Sequence, residues 1–143
     1  MYTKKGITID GIKYNNSQIL WSGENYPVAS HTLYFKYSDG TAAKASEQPN
    51  GIVLVFSSYT VGTGANDWDF QSFFIPKAAI AAIPGKGYTF VLASSKFEKI
   101  ATKYIYISDT HITGNDANDD TGTAASGIKY TNNAYVLRYI IGV

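Results

Sequence analysis

Apolar and polar residues alternate over short stretches along most of the chain, which is typical of strands that have one buried face. Residues 67–76, DWDFQSFFIP, show this alternation, with Trp68 and Phe70 on one predicted face and Asp67 and Asp69 on the other. Residues 51–59, GIVLVFSSY, instead begin with consecutive apolar residues and therefore predict a strand buried on both faces.

Turn-forming residues separate these stretches at short intervals. Pro27, the Asp39-Gly40 pair and Pro76 each predict the end of a strand or a loop. The one helix candidate is KAAIAAI at 77–83, because it is rich in alanine and is followed by Pro84-Gly85. The pattern predicts an all-β chain: an antiparallel β-sandwich, jelly-roll-like, with at most one short helix.

Length and composition restrict the class of protein further. The chain has 143 residues, the size of one domain, and no cysteine, so disulfides and thiolate zinc sites are excluded. Twelve Lys and Arg nearly balance 11 Asp and Glu and are scattered, which argues against a nucleic-acid partner. No apolar run approaches the roughly 20 residues of a membrane span, and the N-terminus lacks a signal-peptide apolar region.

Asp67 and Asp69 are a candidate pair of catalytic carboxylates. Two residues apart on one strand, they would share a face at a separation of roughly 7 Å, which suits an inverting glycosidase. The simpler interpretation places them on the solvent-exposed face of an amphipathic strand, and we favour it. The two histidines, His31 and His111, have no placed nucleophile near them in the sequence, so we expect surface or structural roles.

Residues 115–122, NDANDDTG, contain alternating oxygen ligands of the kind that bind calcium. However, the sixth position of an EF-hand loop would be Thr121 rather than glycine, and the twelfth would be Gly127 rather than glutamate. We therefore predict a polar turn, and no metal or cofactor.

The two tryptophans are either core residues or stacking platforms for sugar rings. We favour the core for both, although the flanking carboxylates make a platform more plausible for Trp68 than for Trp21. If a ligand site exists, the residue pattern places it at Tyr59, Asp67, Trp68 and Asp69, an aromatic surface beside hydrogen-bond acceptors.

Five segments in order carry a family resemblance: ILWSG, EQPNGIVLVFSSY, DWDFQSFFIPK, KYIYISDTHITGN and ASGIKYTNNAYVLRYIIGV. Together they resemble the C-terminal head domain of tail fibre and receptor-binding proteins from phages and prophages of Gram-positive bacteria. The resemblance covers nearly the whole chain and implies a trimeric virion protein that adheres to saccharides on the host surface. It transfers no site residue.

The resemblance also implies a domain organisation and a location. Residues 1–6 would be the stub of an upstream stalk, and residues 7–143 a single head domain that ends the fibre on a strand. The lack of cysteine fits assembly in the reducing bacterial cytoplasm, and the lack of a signal peptide fits release from the cell by lysis. The expected location of the protein is the tail tip of the virion. We expect a homotrimer that binds a host glycan, and neither nucleic acid nor membrane.

Two other classes of protein remain open. A monomeric carbohydrate-binding module of a secreted or lytic enzyme would share the sandwich and the aromatic platform. A glycan-degrading enzyme would use Asp67 and Asp69, and would release reducing ends from purified cell wall.

Overall fold

The structure, a computed structural model, describes residues 7–10, 12–14 and 18–143. Among the described residues it contains one α-helix, α1 (Lys77–Ala82), four short 3₁₀ helices, and strands throughout. The strands are β1 (Ile7–Ile9), β2 (Ile12–Tyr14), β3 (Gln18–Asn25), β4 (Thr32–Tyr34), β5 (Gly51–Thr60), β6 (Gly64–Ala65), β7 (Gln71–Pro76), β8 (Lys86–Ala93), β9 (Ile100–Ile107), β10 (His111–Thr113), β11 (Thr121–Thr123), β12 (Lys129–Thr131) and β13 (Tyr135–Gly142).

The strands form two main sheets. The five-stranded sheet has the order β3-β13-β5-β6, with β7 also paired to β5, and the four-stranded sheet has the order β4-β10-β9-β8. Two small ribbons, β1-β2 and β11-β12, lie outside these sheets. The strand pairings are antiparallel, which confirms the predicted antiparallel sandwich.

The core lies between the two sheets. From the five-stranded sheet, Ile52, Leu54 and Phe56 of β5 are fully buried. The Phe56 ring lies 6.0 Å from that of Phe90, which belongs to the four-stranded sheet, so the two inner faces are in contact. Phe73 of β7 completes this aromatic cluster, with its ring centroid 5.0 Å from that of Phe90. Such tilted ring pairs stabilise the contact beyond the apolar area that they bury.

The prediction that β5 is buried on both faces was wrong for part of the strand. Val53 and Val55, which alternate with the core residues, are only half-buried on the outer face of the sheet. An unbroken apolar run cannot distinguish a face covered by the same domain from a face that is apolar for another reason.

The predicted helix is confirmed, and it is short. Ile80 is the residue of α1 that enters the core, and the chain leaves the helix at Ile83, before Pro84 and Gly85. A six-residue helix is not stable alone, so packing against the sheets must hold it. None of the helices in the described part of the chain is long and apolar enough to cross a membrane.

A buried lysine fixes two loops to the four-stranded sheet. Lys103 of β9 is fully buried, and its Nζ donates to the carbonyl oxygens of Asn118 (2.5 Å) and Asn132 (2.6 Å). Asn118 is also buried; its side chain accepts from the Tyr104 backbone N–H and donates to the carbonyl of Pro27. The 115–120 and 132–134 segments are thus bound to β9 by side chains rather than by strand pairing.

The predicted stalk stub, residues 1–6, lies outside the described residues.

Candidate functional site

The segment that carries the predicted site is a bend and not a strand. β7 begins at Gln71, and residues 67–69 precede it with a sharp change of direction. Asp69 has a φ of 58°, a left-handed conformation that aspartate adopts more readily than most residues. The prediction that Asp67 and Asp69 share a strand face was therefore wrong: an alternating pattern of two or three residues does not distinguish a strand end from a turn.

Asp67 is bound to Arg138 of β13. Its Oδ1 accepts a hydrogen bond from Arg138 Nη2 at 3.0 Å, although the aspartate side chain itself is largely exposed. Nη1 of the same guanidinium donates to Ser57 Oγ and to the Asn66 carbonyl. The planar, rigid guanidinium of Arg138 thus joins the bend to both β5 and β13.

Asp69 is bound to a tyrosine of the core. The hydroxyl of Tyr135, whose ring is buried, donates to Asp69 Oδ2 at 2.6 Å. Burial raises the pKa of Tyr135, and the nearby Asp69 carboxylate raises it further. The phenol therefore stays protonated near neutral pH and remains a donor. This hydrogen bond fixes the end of the bend that leads into β7.

Trp68, between the two anchored aspartates, is directed to the solvent. It is 62% exposed, so the interpretation of Trp68 as a core residue was wrong. Trp21, by contrast, is partly buried against the core, and its ring covers Gly23, where an added methyl group would contact the indole. The two tryptophans have different roles, which their neighbours in sequence only partly indicated.

Trp68 and Asp69 line an open cleft of about 430 Å³. The other residues of the cleft wall are Ser58, Ser94, Ser95, Glu98 and Lys99. The volume is within the range of small-molecule sites. An exposed indole, three serines and charged groups of both signs surround it. These are groups that can stack on one face of a sugar ring and hydrogen-bond its hydroxyls.

The second wall comes from the β8–β9 connection, which the sequence did not predict as part of a site. Ser94 closes this connection by hydrogen bonds with the backbone of Lys99. Lys96 and Phe97 have positive φ angles of 64° and 57°, and Phe97 is strongly exposed. The segment KFEK (96–99) shows neither a strand pattern nor a turn signature. The end of this segment lies at the cleft with Trp68 only because the two sheets pack together.

Tyr59 does not line this cleft. Its ring packs edge to face against that of Tyr26, with the centroids 5.2 Å apart. The hydroxyl of Tyr26 donates in turn to the Asn133 carbonyl. The structure thus brings Asp69 and Trp68 together at the cleft and holds Asp67 on Arg138, whereas the role of Tyr59 in ligand binding stays a prediction.

The 115–122 segment forms the polar turn that the sequence predicts. Asn115 caps a 3₁₀ turn at Asp116–Asp119 by accepting from the Ala117 N–H. In the part of the chain that the structure describes, no three His, Asp or Glu side chains are grouped so that they could hold a metal ion.

Comparison with known proteins adds no family. No protein-family model matches this sequence, and no curated protein matches it. The candidate site therefore depends on its own geometry.

Proposed function

We propose that this chain is a non-enzymatic adhesin domain that binds a cell-surface saccharide in the Trp68 cleft, as the head of a phage tail fibre. The observation that carries the proposal is the exposed Trp68 ring, which lies between two anchored aspartates at the edge of a cleft of sugar size. The assignment to a tail fibre of a phage that infects Gram-positive bacteria rests on the sequence resemblance.

The anchored bend supports binding by a preformed site. Because Arg138 and Tyr135 hold the residues on either side of Trp68, little backbone freedom remains for a ligand to restrict. Preorganisation of this kind raises affinity by lowering the entropic cost of binding. Ligand binding would also explain why an indole is left exposed to water, since exposed apolar surface does not stabilise the fold.

The same anchors support a binding role over catalysis. Each aspartate has a specific partner, Arg138 for Asp67 and Tyr135 for Asp69, and the two carboxylates do not share a strand face. A glycosidase would need both groups directed at one glycosidic bond. We therefore propose that the glycan is held and not cleaved.

The outer face of the five-stranded sheet supports self-association. The strand register places Ile19, Ile141, Val53 and Phe74 side by side across four strands. Ile19 is 54% and Phe74 53% exposed, whereas the solvent-facing side of an antiparallel sheet is normally polar. We name these four residues the apolar row and propose that it contacts other copies of the chain in a homotrimer.

Trimerisation would explain how a weak site serves adhesion. A single open cleft gives modest affinity, but three copies on one fibre raise the effective concentration of each site after the first has bound.

The test uses the two tryptophans as reporters. In a Trp21→Phe chain, Trp68 is the remaining indole, so cell-wall polysaccharide or teichoic acid from a Gram-positive host should change its emission on titration. Trp68→Ala should reduce binding to whole cells roughly tenfold or more, the effect of losing a central aromatic contact.

The matched control is Ile128→Ala, which removes another exposed apolar side chain outside the cleft and should bind normally. Unchanged cell binding by a folded Trp68→Ala protein would refute the cleft proposal. A solution mass near 15.6 kDa rather than three times that value would favour a monomeric carbohydrate-binding module instead.

A further inference from the structure

The outer face of the four-stranded sheet has an unusual composition. In β4, β8, β9 and β10, all of which the structure describes, the residues that alternate with the core include no Asp, Glu, Lys or Arg. The two lysines of these strands belong to the other side, because Lys103 is buried and Lys86 pairs with buried Ile107. Exposed sheet faces usually carry charged residues, which keep a protein soluble. Solubility therefore does not explain their absence from this face.

Aromatic rings cover much of this face. The Tyr104 ring lies over Gly87 of the neighbouring strand, where an added methyl group would overlap it, yet Tyr104 remains 38% exposed. Tyr106 packs edge to face against Tyr104 with ring centroids 5.2 Å apart. The ring of Tyr104 is thus held along the sheet by Gly87, and its outer side faces the solvent.

A second aromatic pair lies towards the opposite edge of the same sheet. Tyr34 of β4 is 57% exposed, and its ring centroid lies 5.3 Å from that of His111 on β10. Threonine hydroxyls lie among these rings. The register places Thr32, Thr113 and Tyr106 in one row that ends at Gly87 and crosses all four strands, roughly 14 Å.

We propose that this face, centred on Tyr34 and Tyr104, binds an extended neutral polysaccharide as a second site of the domain. Ring faces can pack against the C–H faces of sugars, and threonine hydroxyls can both donate to and accept from sugar hydroxyls. The absence of charge selects against nucleic acid and against polyanions such as teichoic acid, which need cationic partners. The width of the face fits a chain of several sugars rather than a single ring.

This site differs from the Trp68 cleft in position and in chemistry. None of the residues that line the cleft belongs to the face, and the cleft contains Asp69, Glu98 and Lys99. The inference therefore stands independently of the proposed function, and the two can fail separately.

The test is affinity electrophoresis of the full chain through gels that contain dextran, galactomannan or mixed-linkage glucan, with teichoic acid as the anionic comparison. We expect at least one neutral polymer to retard the chain, and roughly a tenfold loss of that affinity in Tyr34→Ala/Tyr104→Ala. Ile128→Ala changes an exposed side chain outside both the cleft and this face, so it should be retarded as strongly as the unmodified chain.

Thermal unfolding separates lost binding from lost folding. Tyr34→Ala alone changes a highly exposed side chain and should fold normally, and Tyr104→Phe keeps the ring over Gly87 and should retain most of the binding. The proposal is wrong if none of the three neutral polymers retards the unmodified chain, or if folded Tyr34→Ala is retarded unchanged. Retardation that depends on Trp68 and not on the tyrosines would also overturn it.

Discussion

At the scale of single residues, Lys103 is the position where burial changes chemistry most. Removal from water lowers the pKa of its ammonium group to about 7, and the charge of Asp119 opposes this only in part. A neutral amine has two N–H donors, and two carbonyl oxygens, of Asn118 and Asn132, accept from Nζ. The neutral form of Lys103 is therefore fully compatible with its surroundings.

We expect this lysine to make the domain more stable as the pH rises from about 7 to 10. In that interval Lys103 still carries its proton in the unfolded chain, where its pKa is about 10.5, but has released it in the folded chain. The free energy of unfolding then increases with pH by at most about 1.4 kcal/mol per pH unit. Urea denaturation at pH 7, 8 and 9 measures this slope.

Lys103→Met provides the control, because it removes the titrating amine and should therefore flatten the slope. Above pH 10 the trend should reverse. Burial, together with the nearby Tyr59 and Asp119, raises the pKa of Tyr26 to about 12, so the folded chain then retains protons that the unfolded chain has lost. A Lys103→Met protein with the same slope as the unmodified chain would contradict this account.

At the scale of secondary-structure elements, the end of β10 approaches the β3–β4 connection very closely. The carbonyl of Pro27 accepts from the Asn115 N–H at 3.0 Å and from the Asn118 side chain at 2.6 Å. Gly114 lies against this same carbonyl, and an added methyl group would overlap it. Only glycine allows the two backbone segments to meet at this distance.

We predict that Gly114→Ala destabilises the domain by about 1–3 kcal/mol, because the overlap is with backbone atoms that cannot rotate away. The comparison is Gly40→Ala, at a turn with φ of 84° and open space around it. That change should cost about 1–2 kcal/mol from the backbone conformation alone. Urea denaturation measures the free energy of unfolding of both variants. If Gly40→Ala loses stability as expected and Gly114→Ala loses none, the close approach is not required.

Alternation and turn residues were sufficient to predict most of the strands, the single α-helix and the antiparallel class. They were not sufficient for the site, because a site depends on which loops meet. Asp67-Trp68-Asp69 has the alternation of a strand, but Arg138 and Tyr135, more than 60 residues away in sequence, hold it in a bend. Ser94 and Lys99 carry no pattern that points to a ligand, and their position in the cleft wall depends on the packing of one sheet on the other.

At the scale of the whole molecule, the apolar row predicts a specific sensitivity of assembly. Phe74→Glu places a charge at the exposed end of the row and should leave the fold intact, since this side chain does not contribute to the core. We expect light scattering to show a change from about three times 15.6 kDa to the monomer mass.

Val61→Glu is the matched control, because Val61 is at least as exposed as Phe74 and lies at the β5–β6 turn, away from the apolar row. It should assemble as the unmodified chain does. A trimer that survives Phe74→Glu would place the contact between subunits on another surface.

The two walls of the Trp68 cleft belong to different layers of the sandwich. Ser58 and Trp68 come from the five-stranded sheet and its loop, and Ser94 and Lys99 come from the connection that ends β8 of the other sheet. A ligand lodged between them would act as a clamp across the layers. If the domain attaches a particle to a surface as proposed, a force that separates the sheets would first have to extract this ligand. The ligand-bound domain would then resist mechanical unfolding better than the free domain.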